Sequence, residues 1–291
     1  MTTPSSHSTD QRRSWRPPAK ATLRSRLGPY RLCLKIGEGG MASVYLARTG
    51  AGEGSHRPLA IKVIHPHLAS DRAFVDMFLD EAEIASRIHH VNVCSIVDYA
   101  ADGDGYYIAM EYVVGESLMA LWRKLSRSPP EDRDLFARRI ARVLSGLCEG
   151  LHAAHELCDA DGDPLHVVHR DVSPENVFLT YDGTVKILDF GVASALHKRH
   201  RTRTGIVKGK FAYVAPETLR GAKPDRRIDI WGVGVIAWEL LTGRRLFRQE
   251  TDVDTLHAVT EAEILPPSQV LEGLPPELDA IVLRALRREP S

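Results

Sequence analysis

The stretch HRDVSPEN, residues 169–176, sets His169, Arg170 and Asp171 in a row and places Asn176 five residues after the aspartate. A carboxylate, an amide and a guanidinium thus share one short segment. If the chemistry there concerns phosphate, a cation is wanted, and the position two residues past the aspartate holds Ser173 instead. What the octapeptide does depends on the chain around it.

That chain has 291 residues, enough for one large domain or two modest ones. Its 38 Lys and Arg balance 38 Asp and Glu, so no global charge draws it onto nucleic acid or an anionic membrane. Cys33, Cys94, Cys148 and Cys158 are widely spread without a C-x-x-C pair. This disfavours a zinc knuckle or a secreted disulfide framework and fits a reducing cytoplasm. No apolar run approaches the roughly 20 residues that span a bilayer, and the N-terminus lacks the apolar core of a signal peptide. A cytosolic location is expected.

Upstream of HRDVSPEN the pattern is strand-like. Residues 1–28, rich in Ser, Thr, Pro and Arg, bury too little to offset ordering entropy and read as a flexible tail. From Tyr30, the runs YRLCLKI, SVYLAR and PLAIKVI alternate between Gly-rich turns, as in an antiparallel meander. A helix is expected over 71–89, then two strands meeting at DGDG, residues 102–105. Beyond Gly115 apolar spacing and breakers predict helices over 117–126, 132–158, 225–242, 252–260 and 276–287. The order implies an α+β chain: a small β-rich lobe with one main helix, 29–113, and a larger mostly helical one, 114–291.

Several pieces carry candidate chemistry, each weak alone. IGEGGMASVYLA (36–47) gathers Ile36, Gly37, Glu38, Gly39 and Gly40 in a turn between strands, where backbone N–H groups can approach a phosphate. A strand containing Val44 follows where a dinucleotide-binding fold needs a helix. Lys62 ends LAIK on a strand. In the next helix Phe74, Phe78, Glu81, Ala85 and Ile88 fall on one face, so Glu81 sits in an apolar stripe and wants a buried cation; Lys62 is available, and Glu83 points to solvent. VKILDFGVA (185–193) reads as an apolar strand ending in Asp189, a ligand type suited to Mg²⁺.

The Gly loop, Lys62, Glu81, HRDVSPEN, DFG and APE occur once each, in this order. Together they resemble the eukaryotic-type (Hanks-type) Ser/Thr protein kinases over about residues 29–290. The wording GEGGMA, HRDVSPEN and KGKFAYVAPE is similar to bacterial, particularly proteobacterial, members. The resemblance implies the two-lobed kinase fold, ATP and Mg²⁺ as cofactors, and protein substrates phosphorylated on Ser or Thr. By position, Lys62 would hold the α- and β-phosphates and pair with Glu81. Asn176 and Asp189 would hold Mg²⁺, and Asp171 would accept the substrate hydroxyl proton. Adenine would lie between Val44, Ala60 and Phe178, bonded to the backbone at Glu111 and Val113, with Met110 as gatekeeper. Thr202 or Thr204 would be the regulatory phosphosite, with Arg170 as the cation a phosphate docks on.

Two departures from that family stand out. Its usual lysine two residues past the catalytic aspartate is Ser173 here, and its usual threonine before APE is Lys210. An exchange of groups around Asp171 would let Lys210 supply the missing charge; the alternative is that Lys210 faces solvent or a substrate carboxylate and Ser173 packs in the loop. The chain also stops at REPS, about where the family supplies an arginine for Glu217 and a last helix. Glu217 is then expected to be buried and unpaired, with Arg284, Arg287 or Arg288 as substitutes.

Other features take the plainer reading. His152 and His155, three apart on a helix, have no third ligand and read as packing or surface residues. DADGDP (159–164) starts like a calcium loop but places Gly too early, and reads as a turn. HKRHRTR (197–203) lacks the interleaved aromatics of a nucleic-acid site. A pseudokinase scaffold or a small-molecule phosphotransferase of similar architecture remain open as alternatives.

Overall fold

Alternation of apolar and polar residues in the first third of the chain closes into a six-stranded antiparallel sheet, ordered β1–β2–β3–β4–β6–β5. The structure, a computed structural model, describes residues 26–49, 57–103, 105–128, 130–190 and 210–289. The strands are β1 (Arg26–Leu27), β2 (Tyr30–Glu38), β3 (Ala42–Thr49), β4 (Leu59–Ile64), β5 (Ile96–Asp102) and β6 (Gly105–Glu111). Period two sends Leu59, Ile61, Tyr107 and Ala109 into a small core with Leu27, Tyr30 and Ala47. The sheet therefore begins inside the tail expected to run to residue 28, because Leu27 is buried by its pairing with Tyr30.

The other face carries Ala60, Lys62 and Ile64, opposite Met110 and Ile108 of β6. It is covered by α2 (Arg72–Ser86), which follows the short α1 (Pro66–Ala69). Asp71 starts α2 by accepting a hydrogen bond from Phe74 N at 3.3 Å. Phe74, Phe78 and Ala82 then pack on Ile64 and Ile108. Phe74, Phe78, Glu81, Ala85 and Ile88 are all buried, as their helical spacing requires.

Past Gly115 helices dominate, with one addition the sequence did not announce. Three strands, β7 (Gly115–Ser117), β8 (Val177–Thr180) and β9 (Val185–Ile187), form a second antiparallel sheet. The strand expected to end in Asp189 thus stops at Ile187. Asp189, at φ +51°, lies in the turn beyond it. The helices are α3 (Leu118–Leu125), α4 (Arg133–His155), a 3₁₀ turn (Lys210–Tyr213), α5 (Pro216–Leu219), α6 (Arg227–Thr242), α7 (Asp252–Glu261), α8 (Pro267–Val270) and α9 (Glu277–Ala285).

α6 is buried all round: only Arg227 and Ile230 are exposed, so the rest of this lobe wraps around it. Gly232 allows the closest approach. A methyl group there would lie 2.8 Å from Val172 Cβ and 2.9 Å from the Val172 carbonyl oxygen, so the HRDVSPEN segment rests directly on this helix. Gly243, left-handed at φ +69°, ends it.

Candidate active site

HRDVSPEN is held by a residue the sequence reading did not single out. Asp229, buried near the start of α6, accepts hydrogen bonds from His169 N, Arg170 N and His155 Nε2, each at 2.8 Å. Three donors on one buried carboxylate fix the segment's backbone, including Arg170 in a left-handed conformation at φ +65°. His155, on α4, is therefore a packing residue with a defined partner, while His152 is exposed. The fully buried His169 ring accepts from Asp171 N at Nδ1 (3.2 Å) and donates from Nε2 to Leu188 O (3.0 Å). One imidazole thus ties the segment to the turn that carries Asp189.

Asp171 and Asn176 meet directly. Asn176 Nδ2 donates to the Asp171 carbonyl oxygen at 2.8 Å and to its Oδ2 at 2.9 Å. The ammonium of Lys210, at the start of the 3₁₀ turn, also donates to Asp171 Oδ2. Lys210 therefore does not face solvent. The expected exchange is one-sided, however: Ser173 is buried and its hydroxyl has no hydrogen-bond partner among the described residues, so it does not stand in for a threonine.

Across the cleft, Lys62 Nζ donates to Asp189 Oδ1 at 2.9 Å. Withdrawal from water favours loss of the Lys62 proton, but the charges of Asp189 and Glu81 prevail and hold its pKa above the ordinary lysine value. Asp189 moves the other way. Burial raises it, and the opposing effects of Lys62, then Lys210 and His169, leave it below the ordinary carboxylate range. Glu81 lies buried on α2, and Glu83 is exposed and bonded to Arg87, as expected. Lys62, Glu81, Asp189, Met110 and Phe190 line one cavity between the two sheets.

Register orders the remaining candidates. Val44 pairs with Gly37 on one side and Lys62 on the other, and Ala60 pairs with Met110, so these side chains share the face that carries Lys62. Ile36, Gly37 and Glu38 end β2; Gly39 and Gly40 make the turn, closed by Gly39 N to Ala42 O at 2.9 Å. His65 Nε2 lies 2.8 Å from Gly39 O and steadies that turn. Glu38 is exposed and paired with Lys35, whose hydrogen bond holds its carboxyl low. Phe178 lies on β8, half-buried and paired with Lys186. Glu111 ends β6 just before Val113; its side chain is bonded by Lys186 Nζ at 2.6 Å and Ser95 N at 2.9 Å.

Glu217, on α5, is half-buried rather than buried and has no ion pair among the described residues. Arg288 does not substitute as its partner, since its guanidinium donates to Val259 O at 2.9 Å and to Ala262 O, at the end of α7. A half-buried carboxylate keeps part of its hydration, so the large penalty expected for an unpaired buried one does not apply. In DADGDP, Asp159 Oδ1 accepts from Asp161 N and Asp163 N, both at 2.9 Å, and closes a turn. Gly191, HKRHRTR, Thr202 and Thr204 lie outside the described residues.

Three carboxylates (Glu81, Asp171 and Asp189), the Asn176 amide and the ammonium groups of Lys62 and Lys210 thus gather around one cleft between a β-rich and a helical lobe. Residues 30–291 match the Protein kinase domain family, and the chain belongs to it. It is 43% identical over 263 residues to the Tyrosine-protein kinase MasK of Myxococcus xanthus, covering 90% of this chain and 40% of that protein. It is 33% identical over 275 residues to the Serine/threonine-protein kinase PknL of Mycobacterium tuberculosis, covering 94% of this chain and 64% of the relative. The chain thus spans 40 to 64% of the length of these two relatives. The crystal structure of the Mycobacterium tuberculosis PknI kinase domain superposes with a TM-score of 0.65 at 26% identity, covering 91% of this chain and 90% of that one. Among the described residues no helix is long and apolar enough to cross a membrane.

Proposed function

We propose that this chain is an ATP-dependent protein kinase that transfers the γ-phosphoryl group to Ser and Thr hydroxyls of protein substrates. The observation that carries this reading is the convergence on one cleft of the neighbouring pair Asp171 and Asn176 with Lys62 and Asp189, which meet across 127 residues of sequence. In the transfer, the acceptor hydroxyl oxygen bonds to the γ-phosphorus, its proton passes to Asp171, and the bond to the β-phosphate oxygen breaks with its electron pair leaving on ADP. Lys62, with an ammonium already facing carboxylates, binds the α- and β-phosphates. Ile36, Gly37, Glu38, Gly39 and Gly40 cover the phosphates, and the adenine lies between Val44, Ala60 and Phe178 beside Met110, Glu111 and Val113.

The family uses ATP with Mg²⁺. The residues suit that ion: Asp189 offers carboxylate oxygen, and Asn176 turns its NH₂ onto Asp171, which leaves its amide oxygen for a hard cation. Mg²⁺ held there supplies neutralisation of phosphate charge; the protein supplies positioning.

The reading includes a division of the kinase domain into lobes 29–113 and 114–291, a cytoplasmic location, and no nucleic-acid or membrane partner. It also includes activation by phosphorylation at Thr202 or Thr204, with Arg170 as the docking cation.

The test is incubation with labelled ATP and acceptor proteins, followed by phosphoamino-acid analysis, with Asp171→Asn as control. Phosphoserine or phosphothreonine is the expected product. A second reading, transfer to tyrosine, has support from the relative named a tyrosine-protein kinase and from Lys210 in place of the family's threonine. Phosphotyrosine alone would establish it. Incorporation no greater than that of Asp171→Asn would leave a binding scaffold.

A further inference from the structure

The cation that the catalytic segment lacks at Ser173 comes from another element. Lys210 begins the 3₁₀ turn Lys210–Tyr213, and that turn is firmly seated: Ala212 and Tyr213 are buried, and Tyr213 Oη donates to Glu239 at 2.7 Å and accepts from Arg245 at 2.6 Å. The Lys210 side chain differs from its backbone. It keeps 28% of its exposure and spans the space from the turn to Asp171 on a flexible four-carbon stem.

Asp171 Oδ2 carries two donors, Lys210 Nζ and Asn176 Nδ2. They are not equivalent. Asn176 is fixed by its second bond, to the Asp171 carbonyl oxygen at 2.8 Å, and by Asn176 N to Ser173 O at 3.0 Å. Among the described residues Lys210 has one side-chain bond, and it has the freer stem. Its charge is also felt by a second anion, Asp189, whose pKa it helps to lower. The ammonium therefore sits on the acceptor-side carboxylate, within electrostatic range of the one on the phosphate side. Lys62, the other ammonium of the cleft, is only 14% exposed and is committed to Asp189.

We propose that Lys210 is a catalytic residue whose ammonium rests on Asp171 and passes to the γ-phosphoryl oxygens when the acceptor hydroxyl engages that carboxylate. The proposal rests on the kinase reading above. The charge balance favours such a move. Lys210 exchanges one anionic partner for another, and the carboxylate it leaves gains the hydrogen bond of the incoming hydroxyl. As the hydroxyl oxygen bonds to phosphorus and the bond to ADP breaks, charge on the phosphoryl oxygens meets a cation already in place, the condition under which preorganised electrostatics lowers a barrier. The hydroxyl proton goes to Asp171, and no further reactant is needed.

The test uses the whole chain with Mg²⁺, comparing wild type with Lys210→Met and Lys210→Arg. Lys210→Met is expected to lower kcat by about 10² to 10³, the usual cost of removing one such group, with KM for ATP changed less than about threefold. Lys210→Arg, which keeps the charge, is expected to recover part of the loss. A binding measurement separates a catalytic role from a structural one. Affinity for ADP alone should be unchanged in Lys210→Met, whereas affinity for ADP with aluminium fluoride, a mimic of the transferring phosphoryl group, should fall at least about tenfold. Thermal melts within about 3 °C of wild type would show that the variants fold; a Lys210→Met that does not fold leaves Lys210→Arg and its mimic affinity to decide. Near wild-type turnover in Lys210→Met, or equal loss of affinity for ADP with and without the mimic, overturns the role of Lys210 alone. A wild type no more active than Asp171→Asn overturns the kinase reading, and this role with it.

Discussion

Replacing Asp229 should damage this protein more than its distance from the phosphate site suggests. Its carboxylate is 1% exposed and accepts three hydrogen bonds of 2.8 Å, two of them from the backbone of His169 and Arg170. In Asp229→Ala both backbone N–H groups are left buried without an acceptor, at about 1 to 3 kcal/mol each, and the His155 ring loses its partner as well. Relaxation of Arg170 from φ +65° returns part of this. A net loss of about 4 kcal/mol is expected, a large share of the ~5 to 15 kcal/mol that stabilises a typical domain. Since each kcal/mol moves the midpoint of a domain this size by about 2 to 4 °C, Tm should fall by roughly 8 to 16 °C. Asp229→Asn keeps one acceptor oxygen and should lose about half as much. Urea unfolding and thermal melts measure both values, and phosphotransfer assayed at a temperature where both variants remain folded should still be strongly reduced, because the segment carrying Asp171 is no longer fixed. An Asp229→Ala variant within about 1 kcal/mol of wild type would refute the claim that this carboxylate organises the loop.

Lys62→Met and Asp189→Asn should each lower turnover by about 10² or more with native circular dichroism spectra. Because Glu81 is buried near Lys62 while Asp189 is at the exposed mouth of the cleft, Lys62→Met should melt lower; the reverse order would contradict this placement. Gly232→Ala puts a methyl group against Val172 and should cost about 1 to 3 kcal/mol by overpacking, with kcat falling more than KM rises; unchanged melting and turnover would mean that the segment does not rest on α6. A thiol reagent at pH 8 should label Cys33 and Cys158 first and Cys148 more slowly, since burial and then Glu149 push that thiol up; Cys94, buried and pushed further up by burial and Glu111, should react only on unfolding. Rapid modification of all four in the native protein, followed by mass spectrometry, would count against the described packing.

What the sequence determined alone was whatever depends on near neighbours. The face of α2 that buries Phe74, Phe78, Glu81, Ala85 and Ile88 follows from a period of 3.6, and the sheet face shared by Ala60 and Lys62 from a period of two. Family-like order along the chain also picked out the polar residues of the cleft, and Lys62, Asp171, Asn176 and Asp189 do converge. Of the second sheet only β9 was legible, as the start of the apolar run at 185; β7 and β8 are three and four residues long, too short for periodicity to register. Partner choice escaped for a different reason. Asp229 lies 60 residues from His169, Lys186 lies 75 from Glu111, and Lys210 lies 39 from Asp171. No local pattern encodes such pairs; they exist only because the packing of distant elements, α6 on the HRDVSPEN segment and β9 beside the end of β6 among them, brings those residues together. The left-handed turns at Arg170 and Asp189 belong with them, since L-residues avoid that conformation unless surrounding hydrogen bonds impose it. Sequence thus fixed the chemical inventory of the cleft, and tertiary structure decided which ammonium meets which carboxylate, because at these separations pairing is set by how the packed elements cross.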